Sequence, residues 1–252
     1  MKIGCVEQNL LDRIKRDGCI HLSLIDPEET SPTDAVSMAK SLEQYGTAGI
    51  MVGGSTVVST SLVDEVVKAI KSGVKIPVIL FPNNVVSVSR YADAIWFMSL
   101  LNSNNPLYIT GFQALAAPVI RRSGIEPIPL AYLIVGEGST AAYIGQAHAI
   151  PYKANEIATS YAMAAEYLGM HFVYLEAGSG AKKPLSSKMI SMVKKNVNIP
   201  VIVGGGIRER GSAEAVAKAG ADIVVTGTII EDDKSGGRIR EIIEGVRGVG
   251  KR

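Results

Sequence analysis

Two glycine-rich turns near the end of the chain have the composition of a phosphate-binding site. The first, Pro200–Arg208, reads PVIVGGGIR, and the second, Ala221–Thr228, reads ADIVVTGT. Each is a short β-branched run that ends in glycine and is followed by a helical pattern. Glycine lets an anion approach backbone N–H groups, and the positive end of the following helix favours negative charge. The two turns therefore predict that the protein binds a phosphate ester.

A carboxylate and two hydroxyl side chains follow the first two predicted strands. Asp26 ends the first apolar run, and Ser55 and Thr56 come directly after the two glycines that end the second. A carboxylate and a hydroxyl, completed by phosphate oxygens and water, are typical of a Mg²⁺ site. Asp26 also suits a turn before a proline, and the hydroxyls also suit helix caps. The combination favours the metal site.

The sixth predicted strand ends in YLEAGSG, Tyr174–Gly180. Side chains alternate along a strand, so Tyr174 and Glu176 share one face at its carboxyl end. Gly178, Ser179 and Gly180 then offer backbone and hydroxyl donors to a phosphate. The alternative is a glycine-rich turn with an exposed glutamate. We favour a functional site, because this turn precedes the two phosphate turns at the same end of the sheet.

Strand-like and helical patterns alternate from end to end, which is typical of a parallel α/β sheet. Strands are predicted at Cys19–Asp26, Gly49–Gly53, Pro77–Phe81, Ala94–Met98, Pro127–Val135, His171–Glu176, Pro200–Val203 and Asp222–Thr226. Helices are predicted at about 5–16, 33–45, 61–72, 108–122, 153–168, 186–196, 210–219 and 236–246. No linker divides residues 1–252, so we expect one (β/α)8 TIM-barrel domain, a fold of roughly 250 residues. In that fold the phosphate turns follow the last two strands, where such barrels often bind phosphate.

Two segments interrupt the even alternation. Residues 82–93 leave little room for a helix, so the third βα unit is expected to be abbreviated. Residues 136–151 are long and rich in Gly, Ala, Ser and Thr, and we interpret them as a lid or substrate wall above the barrel.

Composition excludes several classes of protein. The net charge is +2 and no basic run exceeds two residues, which does not indicate a nucleic-acid partner. No apolar run approaches the ~20 residues that cross a bilayer, and the first residues do not form a signal peptide. Cys5 and Cys19 predict a reducing compartment, with burial favoured over a disulfide. We therefore expect a cytoplasmic protein without a membrane span.

Taken together, the motifs resemble the geranylgeranylglyceryl phosphate synthase family, the archaeal ether-lipid prenyltransferases. The resemblance covers residues from about 19 to 230, and its most specific element is YLEAGSG at the sixth strand. The segments that carry it are Leu24–Pro27, Gly53–Ser55, Phe81–Asn83, Ala142–Ala147, Ala164–Gly169, Tyr174–Gly180, Gly204–Gly206 and Thr226–Thr228.

The resemblance implies a modified barrel in which the third helix is replaced by irregular or extended chain. It implies Mg²⁺-dependent transfer of a geranylgeranyl group from geranylgeranyl diphosphate to the 3-hydroxyl of sn-glycerol 1-phosphate, the first committed step of archaeal membrane lipid synthesis. It also implies homo-oligomers, dimers or hexamers.

The resemblance assigns roles to individual residues. Asp26 and Ser55 would be metal ligands, with Thr56 as the alternative to Ser55. The acceptor phosphate and glycerol would be bound by Tyr174, Leu175, Glu176, Ala177, Gly178, Ser179, Gly180, Gly204, Gly205, Gly227 and Thr228. Glu176 is our candidate for the catalytic base, and Tyr174 would orient the acceptor.

The prenyl chain needs an apolar trench. Small residues at Gly111, Ala114, Ala116 and Ala117, with the 136–147 segment, would line it, although they are equally compatible with tight helix packing. Trp96–Met98 is expected to include a side chain that points outward and contacts a second subunit.

Two alternative functions share the phosphate turns. A phosphosugar isomerase or lyase would need acid–base residues at several strand ends, whereas we find one good carboxylate at the first strand and one at the sixth. A non-catalytic barrel would bind glycerol phosphate without turnover. Metal dependence and a requirement for an apolar diphosphate distinguish the three functions.

Overall fold

The computed structural model describes residues 2–178, 180–233 and 236–250. Within them eight parallel strands close into a barrel in sequence order. The strands are β1 (Ile20–Ile25), β2 (Gly49–Val52), β3 (Val78–Leu80), β4 (Ala94–Leu100), β5 (Glu126–Ile134), β6 (Phe172–Glu176), β7 (Val201–Gly204) and β8 (Ile223–Thr226). The barrel closes where β8 pairs with β1, with Ile223 opposite Ile20. The predicted TIM barrel is confirmed.

Helices alternate with the strands close to the predicted positions. They are α1 (Cys5–Asp17), α2 (Pro32–Tyr45), α3 (Thr60–Gly73), α4 (Phe112–Ser123), α5 (Thr140–Ile144), α6 (Asn155–Tyr167), α7 (Ser187–Asn196), α8 (Arg210–Ala219), α9 (Thr228–Asp232) and α10 (Gly237–Arg247). A π-helical turn, Leu107–Gly111, leads into α4. The short helices α5 and α9 were not predicted.

The third βα unit is abbreviated, as expected. Between β3 and β4 the chain forms a single 3₁₀ turn, Val85–Ser87. Asn83 holds this segment in place, because its Nδ2 donates to the carbonyl oxygens of Ser55 and Val57, both at 3.0 Å. Within the described residues, the connection from β3 to β4 therefore contains no α-helix.

Side chains alternate between two cores. The inner core fills the barrel and includes Trp96, whose ring meets that of Phe172 edge to face at 5.2 Å. The outer core lies between the strands and the helices and includes Ile95 and Leu175. Fully buried parallel strands need apolar side chains on both faces, which explains their Ile-, Val- and Leu-rich sequences.

Helix α1 closes the amino end of the barrel. Leu10 is completely buried in the inner core, and the Glu126 carboxylate accepts the backbone N–H groups of Val6 and Glu7, both at 2.8 Å. The Glu7 carboxylate also contacts His171 Nδ1 at 2.7 Å. These contacts tie α1 to β5 and to the start of β6.

The cysteines and one aromatic segment depart from expectation. Both cysteines are free, but only Cys19 is buried, whereas Cys5 is exposed at the start of α1. Trp96–Met98 was expected to present an outward side chain, and this is wrong: Trp96 is completely buried and the other two are half-buried. Exposed apolar side chains instead include Tyr167 and Leu168 at the end of α6, which are 78% and 69% exposed. None of the described helices is both long and apolar enough to span a membrane.

Candidate active site

A cavity of about 250 Å³ opens at the carboxyl ends of the strands. Its lining combines three groups of residues: those after β1 to β3, the glycine turns after β6 to β8, and apolar side chains of β4 and α4. The predicted site residues that line it are Asp26, Ser55, Tyr174, Glu176, Gly178, Gly180, Gly205, Gly227 and Thr228. The barrel thus brings together side chains that are far apart in the sequence.

Glu176 lines the side of this cavity that the glycine turns form. It ends β6, is only 8% exposed, and its Oε1 accepts the backbone N–H of Gly178 at 2.6 Å. The hydroxyl of Tyr174, two residues earlier on the same face, lies close enough to the carboxylate for the two groups to influence each other's pKa. The alternation of β6 therefore places both side chains where the sequence predicted.

Two glycines of the β7 turn keep space open for these side chains. A Cβ at Gly204 would lie 2.2 Å from Tyr174 Oη and 3.0 Å from Glu176 Oε2. A Cβ at Gly205 would lie 2.6 Å from Glu176 Oε1, and its φ of +84° is unfavourable for any other residue. Glycine is needed at both positions because a larger residue would collide with Tyr174 or with the Glu176 carboxylate.

Burial controls the ionisation of this group of residues. It raises the pKa of the Glu176 carboxyl above its usual value, although the Tyr174 hydroxyl and the Gly178 N–H act in the opposite direction. Burial also raises the pKa of Tyr132 and Tyr174 well above the usual range, and the negative charge of Glu176 adds to this effect. A carboxylate with a raised pKa, between phenols that keep their protons, is suited to accept a proton.

Three aromatic rings surround the space beside Glu176, and sequence reasoning assigned a site role to only one of them. The ring centroids of Phe81, Tyr132 and Tyr174 are 5.2 to 5.7 Å apart. Phe81 and Tyr132 also line the cavity. The missed signal for Tyr132 was its place near the carboxyl end of β5, on the face that points into the barrel.

Asp26 lies on the opposite side of the cavity. Its Oδ1 accepts the backbone N–H of Glu28 at 3.0 Å, and burial raises the pKa of its carboxyl. Gly54 provides space beside it, since a Cβ there would lie 2.1 Å from Asp26 Oδ2. No group of three or more His, Cys, Asp or Glu side chains suited to a metal occurs in the described ranges. Asp26 is therefore a single carboxylate with an open side.

The two hydroxyl candidates after β2 have different surroundings. Ser55 lines the cavity, and its carbonyl oxygen is fixed by Asn83. The Thr56 hydroxyl donates to Glu28 Oε2 at 2.9 Å and does not line the cavity. Of the two, only Ser55 faces the space beside Asp26.

Three predicted binding residues do not line the cavity. The Leu175 and Ala177 side chains are buried in the outer core, because the alternation of β6 turns them away from the barrel axis. Gly204 contributes by its lack of a side chain, because a Cβ there would collide with the Tyr174 hydroxyl. Ser179 lies outside the described residues.

An apolar trench continues from the cavity into the region that lacks a third crossover helix. Its walls are Val88, Ile95, Phe97, Met98, Tyr108, Phe112, Ala116 and Ile120, with Ala141, Ile144 and Gly145 from the 136–151 segment. Of the small residues predicted on α4 and before it, only Ala116 lines the trench; Gly111, Ala114 and Ala117 do not. One cavity therefore has a side lined by glycine turns and an apolar arm.

The sequence places the chain among known proteins. Residues 12–246 match the PcrB family. The chain is 49% identical to the geranylgeranylglyceryl phosphate synthase of Thermofilum pendens over 240 residues, which cover 95% of this chain and 92% of that protein. It is also 49% identical to the geranylgeranylglyceryl phosphate synthase of Thermococcus kodakarensis over 252 residues, covering 98% of this chain and 100% of the relative.

A solved structure agrees with the sequence matches. The crystal structure of (S)-3-O-geranylgeranylglyceryl phosphate synthase from Thermoplasma acidophilum, in complex with its substrate sn-glycerol-1-phosphate, matches with a TM-score of 0.94 at 41% identity. The match covers 98% of this chain and 100% of that one. The chain therefore belongs to the PcrB family and, within it, to the geranylgeranylglyceryl phosphate synthases.

Proposed function

We propose that the protein transfers a geranylgeranyl group from geranylgeranyl diphosphate to the 3-hydroxyl of sn-glycerol 1-phosphate, forming an ether bond. The observation that carries this proposal is the joining of an apolar trench to a phosphate-binding side at Glu176. A phosphosugar isomerase or lyase has no use for such a trench. A non-catalytic binder does not require a buried carboxylate with a raised pKa beside the acceptor site.

In this reaction the bond between C1 of the prenyl chain and the diphosphate oxygen breaks, and the diphosphate leaves with the electron pair. The acceptor's O3 forms the new bond to C1 and gives its proton to the Glu176 carboxylate. Tyr174 would orient the acceptor through its hydroxyl. The glycine turns after β6, β7 and β8 would bind the acceptor phosphate, which fixes O3 near C1; such positioning is worth several kcal/mol.

The developing positive charge on the prenyl group would face the aromatic rings. Phe81, Tyr132 and Tyr174 present π-systems and two neutral phenols beside the reacting centre. Ring faces attract cations by roughly 0.5 to 2 kcal/mol each. The rings also exclude water, which would otherwise capture the prenyl group as an alcohol.

The residues around Asp26 fit a Mg²⁺ ion. Mg²⁺ is commonly bound by one or two carboxylates together with substrate phosphate oxygens, and the absence of a Cβ at Gly54 leaves Asp26 Oδ2 accessible. Asp26 and Ser55 would hold the ion, and Ser55 is preferred to Thr56 because the Thr56 hydroxyl is already donated to Glu28. The bound ion would supply Lewis-acid neutralisation of the leaving diphosphate.

The direct test is an assay with sn-glycerol 1-phosphate and radiolabelled geranylgeranyl diphosphate, with Mg²⁺ or with EDTA. We expect a butanol-extractable prenylated phosphate only with Mg²⁺. Failure to form product while glycerol phosphate still binds in calorimetry would contradict the prenyltransferase proposal and favour a non-catalytic binder.

The Asp26→Asn variant tests the metal site. We expect turnover to fall at least about 100-fold, since removing one charged stabilising group from an active site typically costs that much, with acceptor binding unchanged. Asp34→Asn is the matched control, because Asp34 is an exposed residue in the first turn of α2. Near-normal turnover of Asp26→Asn would remove Asp26 from the metal site.

We also propose that the protein is a cytoplasmic homo-oligomer, a dimer or hexamer. Support comes from Tyr167 and Leu168, two neighbouring apolar side chains that are 78% and 69% exposed. Light scattering of the wild type and of a Tyr167→Glu variant tests this; identical monomeric masses would contradict it.

A further inference from the structure

The charged side chains that line the cavity are mostly negative, although both proposed substrates are also negatively charged. Among its described lining residues, two carry negative charge, Asp26 and Glu176, and Arg208 alone carries positive charge. Both proposed substrates are polyanions, so each must approach two carboxylates. Arg208 is therefore the candidate to bind one of these anions, a role that rests on the proposed function.

The backbone before Arg208 is fixed. Gly206 has a φ of +70°, and a Cβ there would lie 2.3 Å from the backbone of Lys183. The next residue, Ile207, is 4% exposed and packs in the outer core. Helix α8 begins at Arg210, so Arg208 is held in the short link between the Gly205–Gly206 turn and that helix.

The side chains of Arg208 and Arg210 differ, because that of Arg208 has no partner among the residues that the structure describes. The Arg210 guanidinium donates to Glu214 Oε1 at 2.8 Å on the outside of α8. No hydrogen bond or ion pair is formed by the Arg208 side chain within the part of the chain that the structure describes, although it borders the cavity. A guanidinium beside a phosphate turn and free of internal carboxylates is available to a ligand.

We propose that Arg208 binds the phosphate of the acceptor and determines specificity for its dianion. Guanidinium groups match phosphate oxygens with two parallel N–H donors. The glycine turns supply neutral N–H donors only, whereas Arg208 supplies a full charge that offsets repulsion from Glu176. Its position after the β7 turn, away from Asp26 and Ser55, assigns it to the acceptor phosphate and not to the donor diphosphate.

The test compares Arg208→Gln, Arg208→Lys and the matched control Arg210→Gln in steady-state assays of both substrates. We expect Arg208→Gln to raise the KM for sn-glycerol 1-phosphate about 10- to 100-fold, the effect of one charge-assisted hydrogen bond. The kcat and the KM for the prenyl diphosphate should change less than about twofold, since the residue does not contact the reacting atoms. Arg208→Lys should restore part of the loss, and Arg210→Gln should behave as wild type.

A second readout separates phosphate binding from a structural role. The second pKa of a phosphate ester is about 6, so the wild-type acceptor KM should rise as the pH falls below it. Arg208→Gln should flatten this dependence, because the variant no longer prefers the dianion. Unchanged thermal melting of the variant should accompany these effects.

The outcomes distinguish this inference from the proposed function. If the wild type forms no product, the proposed function fails. If the wild type is active and Arg208→Gln leaves the acceptor KM and its pH dependence unchanged, only the role of Arg208 is overturned. A rise in the KM of the diphosphate substrate alone would also overturn it and assign Arg208 to the donor.

Discussion

The barrel contains one supporting arrangement twice, beneath β3 and β4 and again beneath β7 and β8. In the first half, the Asp93 carboxylate accepts hydrogen bonds from the Lys71 ammonium at 2.5 Å and from the backbone N–H of Val78 at 2.8 Å. In the second half, Asp222 accepts Lys194 at 2.6 Å and the backbone N–H of Val201 at 2.7 Å. The same three-part contact therefore fixes the start of β3 and the start of β7.

The sequence spacing agrees with these contacts. Glu43 accepts the backbone N–H of Lys75, and Glu166 accepts that of Asn198, each 32 residues further along the chain. The tetrapeptide Ile-Pro-Val-Ile occurs at 76–79 and again at 199–202, entering β3 and β7. The two halves of the barrel share a frame at the amino end.

Although the two halves share this frame at the amino ends of their strands, the residues at the carboxyl ends of the strands differ. We align the two halves on Glu43 and Glu166. In this alignment Gly53 corresponds to Glu176, and Phe81 corresponds to Gly204. The first half thus places an aromatic ring where the second half leaves space for Tyr174 and Glu176. The first half also lacks the helix after β3, which opens the trench. We therefore propose that the two halves share a frame but differ at their strand ends, so that the first half binds the apolar chain and the second binds the phosphate.

The largest effect should come from Glu176→Gln, which removes the cavity carboxylate that stands where the first half has Gly53. Glutamine keeps the shape but does not take the proton, so we expect kcat to fall about 10²- to 10⁴-fold with a small change in acceptor KM. Glu166→Gln, in the shared frame, is the control. Loss of acceptor binding with nearly normal kcat would make Glu176 only a binding residue.

The pH profile of the same pair sharpens the assignment. Burial raises the pKa of Glu176, so the wild-type rate should rise with pH through a value above that of an ordinary carboxyl. Below that value the carboxyl is protonated and does not accept the O3 proton. The Glu176→Gln variant should lose this acidic limb. An unchanged limb would place the titrating group elsewhere.

The next effect should come from Ala116→Phe, which fills the apolar arm of the first half. Ala116 is 7% exposed and lines the trench, whereas its neighbour Ala117 is exposed. Excluding about four carbons of the donor costs roughly 3 kcal/mol at about 0.8 kcal/mol each, or about 100-fold in kcat/KM. Shorter prenyl diphosphates should retain activity, and Ala117→Phe should resemble wild type. Equal effects of the two variants would contradict this position of the trench.

A smaller effect is expected from Gly205→Ala, which tests the phosphate turn of the second half. The left-handed backbone of Gly205 costs roughly 1 to 2 kcal/mol for alanine, so the acceptor KM should rise about 10-fold. The added Cβ would also lie 2.6 Å from Glu176 Oε1, so kcat should fall as well. The control is Gly211→Ala in α8, where an added Cβ meets nothing within 4 Å. Unchanged acceptor affinity, measured by calorimetry, would remove this turn from the site.

The smallest effects should come from Lys71→Met and Lys194→Met, which break the shared frame in each half. Both lysine side chains are about one-third exposed, at 37% and 31%. Such pairs are typically worth up to about 1 kcal/mol, so denaturant unfolding should show two similar small losses. Both substrates should keep their KM values. Clearly unequal losses would show that the two frames are not equivalent.

The strands and the glycine turns that follow them were predictable from sequence because they depend on local patterns. Runs of Val and Ile bounded by glycine or proline identify buried strands, and TGT after β8 identifies the end of its strand. Spacing alone also predicted the abbreviated third unit, since 82–93 is too short for a crossover helix. These features need no knowledge of how the elements pack.

The trench and the choice of hydroxyl were not predictable because they depend on packing. Ala116 and Ala117 are adjacent small residues, and only the rotation of α4 against the barrel decides which faces the cavity. Likewise Ser55 and Thr56 differ through Glu28, which takes the Thr56 hydroxyl. Tyr132 was missed because it lies within the long apolar strand β5, where no sequence motif distinguishes it from the neighbouring core residues.

The helix at the amino end of the barrel has a consequence for biosynthesis. Helix α1 is made before the barrel strands, yet its partners Glu126 and His171 come much later, the second of them 164 residues after Glu7. At roughly 5 to 20 residues per second, the ribosome needs on the order of ten to thirty seconds to deliver His171. Until then Leu10 and the apolar face of α1 have no complete barrel to pack against, so α1 docks long after it has been synthesised.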